Sequence, residues 1–219
     1  MRLAPTRPEA AGPPMPTGLT LPQLSFPTHD DAGWTSSELP APPARGSAAE
    51  QVDLAVLHQL QGERTVRGNV WARAMDLEGH VAVFTQLAAQ TTGNAAELQA
   101  LVGAAMLEAR TRSHLNKTAW NRPRPFTIDP TIDVVGRRPT DFSYPSGHTN
   151  RAWAAARVIA AVDPALRDAA YALAREVAIS RMYAGAHFPS DVLAGARTGV
   201  NAGDAVLAQW RAGSLAAAA

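Results

Sequence analysis

The sequence predicts an all-α protein, a single-domain helical bundle of about seven or more helices behind a Pro-rich N-terminal arm. Three observations lead there. The hydrophobic share is 46% of 219 residues and leans on alanine, a strong helix former. From residue 47 onward apolar positions recur at steps of three and four, with no strand-like alternation. Ten of the seventeen prolines fall within residues 1–45, which therefore read as extended chain. The arm is assigned to residues 1–38, partly disordered, and the helical domain to residues 39–219. Leu19, Leu21, Leu24, Phe26 and Trp34 give the second half of the arm apolar groups with which to dock.

Ser47 opens the first helix, with Glu50 three residues on as a capping box. Helices are expected over about 47–61, 64–75, 77–91, 94–115, 146–162, 164–184 and 189–210. In the fourth, Leu98, Leu101, Val102, Ala105 and Ala109 share one face. The sixth starts with Asp163 as N-cap and Pro164 in the first turn. Between the fourth and fifth, residues 116–145 hold five prolines and read as a long loop, a length that usually signals function.

Composition excludes several classes. A net charge of +1 argues against nucleic acid or an anionic membrane as partner. The absence of Cys rules out disulfides and thiol chemistry. No apolar run reaches the length of a transmembrane helix, so membrane insertion is not expected. The first 20 residues hold five prolines and no apolar core of a signal peptide.

Three fragments within about 75 residues carry the chemistry. In the sixth helix the stripe Leu166, Ala170, Leu173, Val177 continues onto Arg181. An arginine ending a core-facing stripe needs a buried anion, or else snorkels to water or pairs with a nearby acid. Pro145-Ser146-Gly147-His148 opens the fifth helix. Gly147 admits close backbone approach and a helix N-terminus favours anions, although Ser146 or Thr149 would serve equally as an ordinary cap. His187 lies four residues before Asp191, at the start of the last helix. A carboxylate on one ring nitrogen frees the other for attack; the same pair also fits a structural histidine with a capping aspartate. Lys117 and Arg124 suit phosphate oxygens, or plain solvent. Gly195, Gly199 and Gly203 form a four-spaced stripe that reads as a helix-packing seam.

Lys117-Thr-Ala-Trp-Asn-Arg-Pro-Arg124-Pro125, Ser143-Tyr-Pro-Ser146-Gly147-His148-Thr and Ser180-Arg181-Met-Tyr-Ala-Gly-Ala-His187-Phe-Pro-Ser-Asp191 together resemble the three-part signature of the type-2 phosphatidic acid phosphatase and vanadium haloperoxidase superfamily. The resemblance covers about residues 39–210 and points to the soluble bacterial class A non-specific acid phosphatases. It implies hydrolysis of small-molecule phosphate monoesters, with phosphotransfer to other alcohols allowed. It implies His187 as the nucleophile that becomes phosphohistidine, Asp191 as its orienter and His148 as the acid for the leaving alcohol. Lys117, Arg124, Arg181, Ser146 and the Gly147 amide are implied as the phosphoryl cradle. No metal or other cofactor is implied, vanadate is expected to inhibit, and a periplasmic or secreted location follows. A homo-oligomer is allowed. Rival readings are a vanadium-dependent haloperoxidase, a membrane lipid phosphatase and a catalytically idle anion-binding protein on the same scaffold. Trp120, Tyr144 and Phe188 are candidate residues for the mouth of the site.

Overall fold

The helices expected from the sequence are present in the computed structural model, which describes residues 4–21, 23–28, 39–76 and 79–214. In order they are α1 (Ala48–Gly62), α2 (Val66–Asp76), α3 (Gly79–Ala88), α4 (Ala95–Trp120), the single turn α5 (Pro125–Ile128), α6 (Gly147–Val162), α7 (Arg167–Tyr183) and α8 (Pro189–Arg211). No strand occurs among the described residues. Trp34 and the expected start of the third helix, residues 77 and 78, lie outside them.

Local chemistry accounts for most boundaries. Ser47 caps α1 by accepting from the Glu50 amide, but Glu50 reaches back to Gly46 N–H rather than to Ser47, so the box closes one residue early. Asp163 caps as expected, accepting from Ala165 N–H. It caps a short 3-10 turn, Pro164–Leu166, from which α7 continues. The largest difference is at α4. The helix runs five residues past its expected end and stops at Asn121, whose φ of 49° is left-handed. The prolines begin only at Pro123, so nothing in residues 116–120 breaks the helix. Lys117 is therefore held on a rigid helix and not in a loop.

At the centre, α6 packs against α4, α7 and α8. The glycine stripe of α8 is the seam: a Cβ on Gly195 would sit 2.5 Å from the Ser146 carbonyl oxygen, and one on Gly199 would sit 2.3 Å from that of Asn150. At Gly203 the added atom would meet the Arg157 side chain at 2.8 Å. Backbone therefore approaches backbone, which brings the start of α6 against the start of α8. Ser146 N–H donates to the Asp191 carbonyl at 2.9 Å across this junction.

The described part of the arm lies against the helices. Ala11 is buried, and Leu19, Leu24 and Phe26 pack on the core, while Leu21 is exposed. Phe26 stacks on Trp153 with centroids 4.9 Å apart, and Arg7 pairs with Glu176 at 2.5 Å.

Gly199→Ala should test the seam. The methyl meets backbone that cannot rotate away, so overpacking should cost about 1–3 kcal/mol. Thermal unfolding should show a melting temperature lower by several degrees, whereas Gly103→Ala, where an added Cβ meets nothing within 4 Å, should not lower it.

Candidate active site

Three chain segments converge on a cavity of about 920 Å³. The last turn of α4 with the loop after it supplies Lys117 and Arg124, the start of α6 supplies Gly147 and His148, and the α7–α8 junction supplies Arg181 and His187. All six line the cavity. Gly185 makes the last junction possible. Its φ is 70°, and a Cβ there would fall 2.5 Å from the Asp133 carbonyl oxygen. The chain thereby turns sharply from α7 and delivers His187 immediately before α8.

Asp191 occupies the first turn of α8 and is fully buried. Its carboxylate accepts from Phe188 N–H at 2.9 Å, from Arg122 Nη1 at 2.7 Å and from the Ser143 hydroxyl. The helix N-terminus further favours a negative charge there. Burial alone would raise its pKa, but these donors and His187 hold it at about 2. Asp191 Oδ2 lies 3.3 Å from His187 Nδ1, and Arg124 Nη1 lies 2.8 Å from His187 Nε2. Guanidinium can only donate, so Nε2 carries the lone pair and Nδ1 the proton. Burial and the neighbouring Arg124 push the His187 pKa down to about 3 despite Asp191. The ring is a neutral base aimed at the cavity over a wide pH range.

The cations are satisfied internally. Lys117 Nζ and Arg124 Nη2 each lie 2.5 Å from the Asp141 carboxylate, which is itself 59% exposed. Arg181 is buried and donates to Asp76 and to the Ala72 carbonyl. The partner that its position demands is thus an acid on α2. His148 Nε2 lies 2.8 Å from the Asp76 carbonyl oxygen, and its ring is 4.4 Å from that of His80. Burial, then Arg181, His80 and Arg151, hold its pKa well below the ordinary value. Burial and Arg124 lower the Lys117 pKa to about 8, while Lys117 and Arg124 overcome burial to bring Asp141 down to about 2.

Ser146 stands apart from the others. It is fully buried behind the cavity, where its hydroxyl caps α6 against Thr149. Trp120, Tyr144 and Phe188 do not line the mouth. Trp120 packs edge-on to Tyr144, and Phe188 lies under the Arg122 guanidinium at 3.9 Å.

Several residues went unseen in the sequence. Arg122 bridges Asp191 to Asp53 on α1 and to Ser190. Asp141 and Asp76 neutralise the cations. Ser113, one turn before Lys117, is buried with no hydrogen-bond partner and lines the cavity beside Gly147. Only Arg122 left a trace, as a second arginine two residues before Arg124. Asp141 and Asp76 pair across long stretches of sequence, and Ser113 has no partner among the described residues to read from it.

Residues 97–212, just over half the chain, match the model of the PAP2 superfamily. The chain belongs to the PAP2 superfamily. Solved structures with the same fold include a transmembrane PAP2-type phosphatidylglycerolphosphate phosphatase from Bacillus subtilis, at 20% identity and a TM-score of 0.58 over 77% of this chain and 89% of that one. Aquifex aeolicus LpxE matches at 24% identity and 0.61, over 72% and 95% respectively. A bacterial vanadium-dependent iodoperoxidase matches at 24% and 0.64, over 77% of this chain but 52% of that one. Among the described residues of this PAP2 chain no helix is long and apolar enough to cross a membrane.

Two measurements probe the cavity as an anion site. Asp141→Asn removes the carboxylate that competes for Lys117 and Arg124, and calorimetry should show inorganic phosphate binding about tenfold tighter. Unchanged or weaker binding would contradict the competition. The second is the alkaline limb. Lys117 is charged below about pH 8 and loses its proton above it, so phosphate affinity should fall as pH rises past 8. Lys117→Arg should move this limb to higher pH.

Proposed function

We propose that this PAP2 chain is a phosphatase that hydrolyses phosphate monoesters through a phosphohistidine on His187, in the manner of the non-specific acid phosphatases. Membership of the superfamily supports a phosphoric monoester hydrolase in general. The observation that carries the finer reading is the state of His187: Nδ1–H tied to the ionised Asp191, Nε2 unprotonated and facing a cavity lined by cations.

The substrate's phosphoryl displaces Asp141 from Lys117 and Arg124 and enters the space before His187. Arg124 then donates to a phosphoryl oxygen and releases the Nε2 lone pair. Nε2 attacks phosphorus and the P–N bond forms as the ester P–O bond breaks. The imidazolium that results is stabilised by Asp191. His148 passes a proton to the departing alcohol. The dianionic phosphoryl group beside it offsets Arg181, which after burial does most to hold the His148 pKa down. Water then attacks phosphorus, His148 takes its proton, and the P–N bond breaks to release inorganic phosphate. Lys117, Arg124, Arg181 and the amide at Gly147 face the equatorial oxygens, where charge spreads in the transition state. Ser146 supports this arrangement by fixing the first turn of α6. Because His187 stays neutral far below the ordinary histidine range, the nucleophile survives in acid, which is the basis for the acid-phosphatase reading. Export to the periplasm or exterior remains part of this proposal.

The test is hydrolysis of an aryl phosphate with excess chelator, with and without vanadate. Activity is expected to survive chelation and to be inhibited by vanadate, whose five-coordinate adduct on His187 would resemble the transition state. His187→Ala should lose nearly all turnover, and rapid acid-free quenching of wild type should trap an acid-labile phosphoenzyme. His148→Ala should lose more activity on alkyl than on aryl esters, because poor leaving groups need the proton most. Label on a serine, or activity lost to chelator and restored by zinc or magnesium, would overturn the scheme. Peroxide-dependent iodide oxidation in the presence of vanadate would favour the haloperoxidase reading instead.

A further inference from the structure

Charge in the cavity is unevenly matched. Its inner part holds Lys117, Arg124 and Arg181. Once a phosphoryl group displaces Asp141, those three cations face Asp76 and one dianion, and the inner part is neutral. Four more arginines line the same cavity: Arg110 on α4, Arg137 and Arg138 on the loop opposite, and Arg151 on α6. Arg151 has a role in the wall, where its Nε donates to the Gly147 carbonyl at 3.3 Å. Arg110, Arg137 and Arg138 are exposed, and among the described residues no carboxylate lies within ion-pairing distance of them. A chain of net charge +1 has gathered its surplus here.

The arginines are also placed in register with the inner site. Arg110, Ser113 and Lys117 follow helical spacing along one face of α4, and all three line the cavity. Ser113 is 3% exposed, and its hydroxyl has no partner in the protein, which marks the path between the two arginine groups as polar and ligand-facing. Seven residues of helix separate Arg110 from Lys117 by about 10 Å along the axis. Leu107 and Leu115, both exposed on this wall, offer apolar surface for a spacer.

We infer that the cavity takes small organic bisphosphates: one phosphate is hydrolysed at His187, and the second is held at the rim by Arg110, Arg137 and Arg138. This rests on the phosphatase reading above. The offset along α4 favours two phosphates separated by an organic spacer over two joined directly.

The experiment compares hexyl phosphate with the bisphosphates of ethanediol, butanediol and hexanediol, read as phosphate release. KM for hexanediol bisphosphate should be about tenfold or more below that for hexyl phosphate, as expected for a charge-assisted contact. The advantage should shrink with the shorter spacers and with added salt. In the double variant Arg110→Gln/Arg138→Gln, KM for the bisphosphate should rise about tenfold while that for hexyl phosphate moves by less than about threefold. Both positions are exposed, so the fold should be kept, with the melting temperature as the control. Equal KM values for the two substrates, or an advantage that persists in the double variant, would overturn the inference. If neither compound is hydrolysed, the phosphatase reading fails. Calorimetric binding of the same pair then decides the second subsite by itself, with equal affinities for mono- and bisphosphate ruling it out.

Discussion

The charge on Asp191 is the constraint around which the rest of the site is built. A fully buried carboxylate is costly unless every lone pair finds a donor. Here the donors come from four places: the Phe188 amide, the Ser143 hydroxyl, Arg122 and His187. Arg122 in turn reaches Asp53 on α1. Holding one charge therefore fixes α8, the loop before α6, the segment after α4, and α1 relative to each other. The result is a histidine ring with one tautomer and one orientation, set before any ligand arrives. Removing a member of such a network leaves a buried charge uncompensated, so these groups cannot vary independently.

The glycine seam and this network depend on each other. The seam lets α6 and α8 approach until Ser146 N–H meets the Asp191 backbone carbonyl. That contact brings the Gly147–His148 turn and His187 to one cavity, although they lie about 40 residues apart in the chain. Small residues on α8 thus set how closely the two helix starts that carry the site approach each other. The extension of α4 works in the same direction. By carrying Lys117 on a helix it fixes the height of the ammonium relative to Ser113 and Arg110, which a flexible loop could not do.

How much of this could be read in advance follows from the range of each interaction. Helix existence and caps were legible because alanine content, apolar spacing and residues such as Ser47, Asp163 and Ser146 act within a few residues. The end of α4 is not legible, because the prolines beyond residue 122 make the residues before them read as loop although the helix continues to Trp120. Proline disfavours helix only at itself and its immediate predecessor. The cluster of Lys117, Arg124, His148, Arg181 and His187 was legible because each fragment is local and bears chemistry that has few other uses in combination. Asp141, Asp76 and Asp53 were not, since an aspartate in a loop or near a helix end has many ordinary roles, and its partner is set only by tertiary contact.

The ion pairs of the site are arranged for exchange. Its cations do not wait unpaired in the cavity: Arg181 is bound to Asp76, and Lys117 and Arg124 share Asp141. The two acids differ in exposure. Asp76 is nearly buried and cannot leave without stranding Arg181, whereas Asp141 is 59% exposed and can exchange its partners for water. In the proposed mechanism a phosphoryl group therefore replaces Asp141 and not Asp76. Asp76 stays paired with Arg181, one of the charges that hold the His148 pKa down, and in the proposed mechanism the substrate dianion offsets that charge further. In the proposed mechanism His148 gains its proton only when a phosphoryl group is present, and His187 is neutral until its attack makes it an imidazolium. The two rings differ in their surroundings: His148 faces an arginine held by a buried carboxylate, whereas His187 faces one held by an exposed carboxylate that the proposed substrate displaces.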